Sequence, residues 1–208
     1  MQTKSSELIK RTLDVAGALV ALVVLSPVLA LVALAVLMSM GAPILYRQTR
    51  VGRGGEPFTL LKFRTMDDVP HEVMTFEELV ASDEVRLTGL GRFLRATSLD
   101  ELPQLLNVVR GEMSFVGPRP LPVEYLSLYS AEQARRHEVR PGITGLAQVS
   151  GRNALSWPER FALDVAYVDE RSLATDARIL AQTIGAVFSR RGISSDSAVT
   201  MEPFRGNE

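Results

Sequence analysis

The chain has 208 residues and a formal net charge of −1, with 23 basic and 24 acidic side chains. This balance does not favour nucleic acid, and no nucleic-acid partner is expected. Cysteine is absent, which excludes disulfides, a catalytic thiol and thiolate metal ligands, and two histidines are too few for a multi-histidine zinc site.

The first predicted element is an apolar run that has no charged residue between Asp14 and Arg47. The segment from Val15 to Met40 is long enough to cross a bilayer, which needs about 20 apolar residues in a helix. Pro27 removes a backbone donor, and Ser26 can bond a carbonyl one turn back. A membrane helix with a kink at Ser26-Pro27 is therefore predicted.

Basic residues lie on both sides of this run. Lys10 and Arg11 precede it, and Arg47, Lys62 and Arg64 are among those that follow it. Because basic residues stay on the cytoplasmic side of a membrane, the pattern favours a re-entrant helix with Lys10 and Arg11 as membrane anchors. A kinked spanning helix is the alternative. A cleaved signal peptide fits less well, since its apolar core is only about 7 to 15 residues long.

The remainder of the chain is predicted to form one compact domain. Residues 1–42 would be the basic N-terminus and membrane helix, and residues 43–208 a cytoplasmic domain large enough for its own core. Residues 44–66 hold five cationic side chains against Glu56 alone, which suits lipid headgroups or phosphates. Residues 67–84 hold seven acids and no Lys or Arg, and are predicted to be a solvated loop.

Periodicity within this domain predicts an α+β fold that is mainly helical, with interfacial helices. Two strands, Ile44 to Gln48 and Phe58 to Met66, are expected to pair as a short hairpin through a glycine-rich turn. Helices are predicted from Thr88, and over Leu102 to Val109, Glu124 to Val139, Pro158 to Asp169 and Ala174 to Arg190. Residues 140–153 hold three glycines and are predicted to be a long loop with a short strand.

Residues 98–101, Ser-Leu-Asp-Glu, have the form of a helix N-terminal capping box. Pro103 favours the first helical position and could move the helix start. In either register Asp100 and Glu101 lie near the positive end of a helix dipole, which stabilises carboxylates and attracts phosphate. Such a sequence often does no more than start a helix, so its function depends on its neighbours.

Arginine residues near this acid pair point to a phosphate ligand. Arg95 precedes the pair, and Arg119 follows it between Pro118 and Pro120. An arginine held between two prolines loses little freedom on binding, which suits bidentate phosphate recognition. Arg152 lies beside a glycine, where backbone can approach a ligand closely. Each of these motifs alone also fits a surface turn, so the combination carries the prediction.

Three sequence blocks resemble the bacterial sugar transferase family, the monotopic phosphoglycosyl transferases. They are YRQTRVGRGGEPFTLLKFRTM, SLDELPQLLNVVRGEMSFVGPRP and RPGITGLAQVSGR. The resemblance covers nearly the whole chain, which is similar to the small members of the family. It implies that Lys10-Arg11 and Ser26-Pro27 mark a re-entrant membrane helix.

The same resemblance implies the reaction. A UDP-sugar would donate sugar-1-phosphate to polyprenyl (undecaprenyl) phosphate, giving polyprenyl diphosphate sugar and UMP. Asp100 would attack the β-phosphorus and form a covalent aspartyl-phosphosugar intermediate, and Glu101 would be a metal ligand, a base or both. Asp100 and Glu101 would hold Mg²⁺, and Pro118 and Pro120 would border the uridine. The side chains expected to bind phosphate oxygens are Arg119, Arg152, Arg95, Lys62 and Arg64.

The resemblance also implies a place and partners. The protein would be monotopic in the bacterial inner (cytoplasmic) membrane, with its catalytic domain on the cytoplasmic face, in the first membrane step of glycoconjugate or polysaccharide synthesis. Membrane lipids would surround the helix, and a second copy of the chain or other enzymes of the glycan pathway are candidate protein partners. A non-catalytic membrane-bound scaffold and a lipid-phosphate hydrolase are the alternatives.

Overall fold

The computed structural model describes residues 4–67, 86–151, 154–189 and 203–207, so most of the predicted acidic loop lies outside it. The helices are α1 (Lys4–Val24), α2 (Ser26–Met40), α3 (Gly89–Thr97), α4 (Gln104–Arg110), α5 (Ala131–Ala134), α6 (Leu146–Ser150), α7 (Trp157–Glu170) and α8 (Leu173–Ser189). The strands are β1 (Leu45–Val51), β2 (Pro57–Phe63), β3 (Ser114–Val116) and β4 (Gly142–Thr144). Short 3₁₀ turns occur at Arg53–Gly55, Leu99–Glu101, Val123–Leu128 and Arg135–Glu138.

Helices α1 and α2 form a bent pair, and the predicted kink is confirmed, with an angle of 64° between them. The Ser26 hydroxyl donates to the Val23 carbonyl at 2.8 Å, and Pro27 has no amide hydrogen to continue the ladder. Apolar side chains on the pair face outward, with Val23 74% and Met38 79% exposed. By length and composition no single described helix can cross a membrane, whereas the bent pair could do so together.

Two basic residues fasten α1 to the rest of the domain. Arg11 donates to the carbonyls of Val108 (2.7 Å) and Val109 (3.0 Å) at the end of α4, where helical carbonyls lack intrahelical partners. Lys10 lies 2.7 Å from the Asp176 carboxylate in α8. The role of Lys10 and Arg11 as membrane anchors stays a prediction, and in the structure both cationic groups contact protein.

We expect Arg11→Lys to destabilise the protein by about 1.5 to 3 kcal/mol, the usual cost of losing a hydrogen bond from a charged donor. Lysine keeps the charge that lipid headgroups would bind, but its ammonium cannot span two carbonyls as the guanidinium fork does. Denaturant unfolding in detergent micelles and in lipid nanodiscs measures the change, with Arg47→Lys on an exposed strand position as the control. Wild-type stability in Arg11→Lys would contradict the capping role and favour membrane anchoring.

The predicted hairpin of β1 and β2 is confirmed. The strands are antiparallel, with Tyr46 opposite Lys62 and Arg50 opposite Phe58. Residues directly opposite each other share a face of the sheet, and so do residues two apart on one strand. Gln48 and Arg50 of β1 therefore lie on the same face as Lys62 of β2.

A second, parallel pair joins β3 to β4, and sequence reasoning did not predict this pairing. The backbones of the two segments approach each other closely. A Cβ atom added to Gly142 would lie only 2.1 Å from the Gly117 nitrogen. A Cβ on Gly117 would lie 2.3 Å from the Arg140 carbonyl oxygen. Glycine permits this approach, which brings the Pro118–Pro120 segment against the start of the predicted glycine-rich loop.

The predicted continuous helix from Glu124 to Val139 is wrong, because three short helical pieces occupy this stretch. Tyr129 between the first two pieces is extended, with φ −72° and ψ 140°. Ser130 then caps α5, forming a reciprocal capping box with Gln133. A serine that bonds the next turn in this way starts a new helix rather than continuing the previous one.

The core holds α4 between α1 and the hairpin. Its buried apolar residues here are Ala18, Leu60, Leu105, Val108 and Met113. Asn107 of α4 is fully buried; its side chain donates to the Thr59 carbonyl at 2.7 Å and accepts from the Leu61 amide at 3.1 Å. These two bonds fix α4 against β2, so the residues that precede α4 lie close to the end of β2.

Candidate active site

Asp100 and Glu101 lie in a 3₁₀ turn that leads directly into α4, but the predicted capping box is not formed. Ser98 is in the left-handed region (φ 58°) and its side chain makes no cap hydrogen bond. Its amide instead donates to the Arg95 carbonyl at 3.2 Å and ends α3. Pro103 continues the right-handed run rather than starting it. The two acids therefore begin a helical segment in which Ser98 has the N-cap position but its side chain does not cap the helix.

Glu101 binds two cations from separate parts of the chain. Lys62 Nζ of β2 and Arg119 Nη2 each lie 2.8 Å from its Oε1 atom. These partners are 39 and 18 residues away in sequence. Glu101 therefore joins the hairpin, the start of α4 and the Pro118–Pro120 segment in one cluster.

These contacts set the charges of the cluster. Burial alone would raise the pKa of Glu101, but Arg119 and Lys62 outweigh it and hold that pKa well below its usual range. Glu101 in turn raises the pKa of Arg119, while burial lowers the pKa of Lys62 despite the attraction of Glu101. A carboxylate held as an anion by two cations is poorly suited to accept a proton near neutral pH. The geometry favours a ligating or positioning role for Glu101 over a role as a base.

Asp100 is the more deeply buried acid of the pair, at 6% exposure. Burial raises its pKa, and the charge of Glu101 adds to this effect, while Lys62, Arg95 and Arg119 favour the ionised form. A poorly hydrated carboxylate with cations on several sides can attack an electrophile that carries phosphate oxygens.

Arg95 and Arg64 were also predicted to bind phosphate, and their contacts in the structure differ. Arg95 donates to Thr65 Oγ1 at 3.1 Å and is near enough to Asp100 to affect its pKa. The Arg64 guanidinium donates to the carbonyls of Met40 and Gly41 (3.0 Å) at the end of α2. The assignment of Arg64 to phosphate binding stays a prediction.

Arg152 lies outside the described residues. Pro118 and Pro120, predicted to border the uridine, are buried on either side of Arg119. They line a small cavity with Arg119 and His137. Their assignment to the nucleotide stays a prediction.

Sequence reasoning missed a buried ion pair behind Arg119. Arg136 Nη2 lies 2.7 Å from Asp164 of α7, and the side chains are 1% and 2% exposed. The same Nη2 donates to the backbone carbonyl of Arg119 at 2.7 Å. Asp164 occurs between Phe161 and Val168 on the buried face of α7. Asp164 occupies a position where the helical pattern would place an apolar residue. This was the signal in the sequence that could have indicated a buried cationic partner.

The acid pair fits one mode of magnesium binding. Within the described ranges, no three His, Asp or Glu side chains group into a metal site. Asp100 and Glu101 are adjacent carboxylates, and Mg²⁺ is commonly held by one or two carboxylates together with substrate phosphate oxygens and water. The residues therefore fit a magnesium ion that arrives with a phosphate substrate, rather than one in a cage made by protein alone.

Comparison with known proteins gives consistent matches over this cluster. The family model described as bacterial sugar transferase matches residues 5–190. The "uncharacterized sugar transferase EpsL" of Bacillus subtilis is 47% identical over 200 residues, covering 96% of this chain and 97% of its own. The "UDP-galactose-lipid carrier transferase" of Erwinia amylovora is 45% identical over 203 residues; the match covers 90% of this chain but 42% of that protein. The "UDP-glucose:undecaprenyl-phosphate glucose-1-phosphate transferase" of Caulobacter vibrioides is 43% identical over 194 residues, with coverage of 88% and 71%.

Proposed function

The chain belongs to the bacterial sugar transferase family and is a transferase, and on this premise we propose that it moves sugar-1-phosphate from a UDP-sugar to polyprenyl phosphate. The products are polyprenyl diphosphate sugar and UMP. The names of the Erwinia and Caulobacter relatives support these two substrate classes. The observation that carries the proposal is the buried Asp100 beside Glu101, which two cations hold at 2.8 Å.

In the first step a carboxylate oxygen of Asp100 attacks the β-phosphorus of the UDP-sugar. A bond forms between this oxygen and the phosphorus, the bond from the phosphorus to the bridging oxygen breaks, and UMP leaves with that oxygen. The protein then carries an aspartyl-phosphosugar. Lys62 and Arg119 hold Glu101 in place and provide positive charge near the reacting phosphate, where negative charge develops.

In the second step an oxygen of polyprenyl phosphate attacks the same phosphorus and the Asp100 carboxylate leaves. A phosphoanhydride is broken in the first step and another is formed in the second, so the exchange needs no further energy source. Both steps use one nucleophilic position, which has to be reachable from the aqueous phase and from the lipid phase.

Asp100 and Glu101 are the residues that would hold Mg²⁺ in this proposal, together with diphosphate oxygens. When bound, the ion would supply positive charge that neutralises the diphosphate as UMP departs. Glu101 contributes by its fixed position and its ionised state, which Arg119 and Lys62 maintain against burial.

The protein is proposed to be monotopic, with the bent pair re-entering the cytoplasmic face of the bacterial inner membrane and the catalytic domain beneath it. The exposed apolar side chains of α1 and α2 support this placement, as does the bend of 64°. Such a return would keep Asp100 at the level of the lipid headgroups, where a lipid phosphate and a soluble nucleotide both arrive.

Cysteine labelling tests the proposed topology, because the natural chain has no cysteine. Gln2 precedes the bent pair in the sequence and Ser39 is in the last turn of α2, and Gln2→Cys and Ser39→Cys are both expected to react with a membrane-impermeant maleimide added from the cytoplasmic side of inverted vesicles. Reaction at only one of the two positions would indicate a spanning pair and contradict the re-entrant arrangement.

The proposed reaction is tested with a UDP-sugar labelled in its β-phosphate. Without lipid, the label should become attached to the protein with release of one equivalent of UMP. Polyprenyl phosphate added afterwards should remove the label as polyprenyl diphosphate sugar. Release of inorganic phosphate from the lipid substrate would indicate a hydrolase, and absence of any turnover would favour a scaffold.

A further inference from the structure

Arg50 is a partly buried cation that the proposed reaction has not used. Its Nε (3.1 Å) and Nη2 (2.6 Å) both donate to Oε1 of the Gln48 side chain. In the ranges that the structure describes, no carboxylate oxygen lies within 4.0 Å of its guanidinium. Burying a cation without an anionic partner costs free energy. Binding of an anion by Arg50 would therefore be favourable.

The surroundings of Arg50 are cationic. Burial, and then the charge of Arg119, lower its pKa to about 10, against a smaller opposing effect from Tyr46, Tyr125 and Glu124. The positive charge of Arg119 therefore disfavours the charged form of Arg50. An anion between them would offset this effect and replace the lost hydration of both guanidinium groups.

The backbone connects Arg50 directly to the proposed active site. The Val51 amide donates to the Leu121 carbonyl at 3.1 Å, and Arg50 pairs with Pro122 in an isolated bridge. The segment that carries Arg119 thus runs beside the end of β1. Arg119 contacts Glu101 through its Nη2, and the residues that follow Arg119 lie against Arg50 and Val51.

We propose that Arg50, oriented by Gln48, binds the phosphate of the nucleoside monophosphate that leaves. This inference rests on the proposed function, in which the β-phosphate reacts at Asp100. The α-phosphate is then one bridging oxygen away and gains negative charge as that bond breaks. Arg119 is shared between the two phosphates, and Arg50 provides a second guanidinium from the strand beside that segment.

Equilibrium binding of UMP and of uridine to the full chain in nanodiscs tests this assignment. Arg50→Ala should weaken UMP binding roughly 10- to 100-fold, the effect of losing a charged hydrogen-bonded contact, and leave uridine binding nearly unchanged. Arg47→Ala is the matched control, because it removes the same charge from an exposed position of β1 on the opposite face. Arg50→Lys should recover only part of the UMP affinity, since an ammonium lacks the bidentate fork.

Gln48→Glu separates binding from folding. It places a carboxylate where the amide oxygen now accepts both hydrogen bonds, so Arg50 stays packed and gains an internal counter-ion. The melting temperature should stay the same or rise, while UMP affinity falls because the guanidinium is already neutralised. Should Arg50→Ala destabilise the fold, this variant still decides the question.

Wild-type affinity for UMP in both Arg50→Ala and Gln48→Glu would overturn the assignment. Unchanged UMP binding together with weaker binding of polyprenyl phosphate would also overturn it. That result would indicate that Arg50 binds the phosphate of the lipid acceptor instead. The proposed function is judged separately, by formation of the labelled protein. UMP binding that depends on Arg50 in a protein that forms no adduct would refute the reaction and keep the phosphate site.

Discussion

Asp100→Asn is expected to abolish attachment of the labelled β-phosphate to the protein, and to reduce overall transfer by roughly 10⁴-fold or more, as loss of a nucleophile does in other covalent enzymes. Asparagine has nearly the same shape as aspartate but no carboxylate oxygen to attack phosphorus. Because Asp100 is also a proposed Mg²⁺ ligand, UDP-sugar binding is measured in parallel, and the loss of label attachment is expected to persist at saturating UDP-sugar. The loss of the nucleophile is therefore judged from the amount of labelled protein and not from substrate affinity.

Two further variants make this result specific. Asp169→Asn, an exposed acid of α7, makes the same chemical change away from the cluster and should label as wild type does. Glu101→Gln keeps the nucleophile but weakens the contacts with Lys62 and Arg119, so it should slow label attachment by roughly 10²- to 10³-fold without abolishing it. Equal labelling of Asp100→Asn and wild type, or labelling of neither, would show that Asp100 is not the nucleophile.

The parts of the fold that sequence predicted correctly are those governed by local physics. A proline after a serine in an apolar helix breaks the backbone ladder wherever it occurs, so the bend at Ser26-Pro27 followed from two residues. The hairpin likewise depends on neighbouring segments and a glycine-rich turn. The pairing of β3 with β4 was missed because it joins three-residue strands that are separated by 25 intervening residues, 117–141, and so leaves no periodic signal.

The candidate site shows the same limit. Asp100 and Glu101 stood out because the surrounding motifs are specific. The sequence did not show, however, which of the nearby basic residues would contact them. Lys62 and Arg64 are two residues apart and strand alternation would put them on the same face. The strand ends at Phe63, however, and Arg64 turns to cap α2 while Lys62 binds Glu101. The position of a strand end, which is set by packing, decided which cation contacts Glu101.

Asp164→Ala is expected to be the most damaging change behind the site. It leaves the Arg136 guanidinium buried and unpaired, and breaking such an ion pair costs about 3 to 5 kcal/mol. Both stability and transfer should fall, which denaturant unfolding and the label assay measure in parallel. Glu138→Ala, an exposed acid that contacts Arg135, should change neither by more than a small amount.

Asp164→Ala could lose activity through unfolding alone or through misplacement of Arg119. The double variant Arg136→Met with Asp164→Leu separates these two causes. Replacing both members of a buried ion pair by apolar residues of similar size is often neutral or stabilising, so the free energy of unfolding should return close to the wild-type value. The hydrogen bond from Arg136 to the Arg119 carbonyl stays lost, however, and Arg119 has to reach Glu101 from a backbone that lacks this support. We expect transfer by this stable protein to remain roughly 10- to 100-fold below wild type, because misplacement of a positioned charge costs rate without costing stability. Full activity in the double variant would mean that Pro118 and Pro120 alone fix Arg119, and that Arg136 serves only the core.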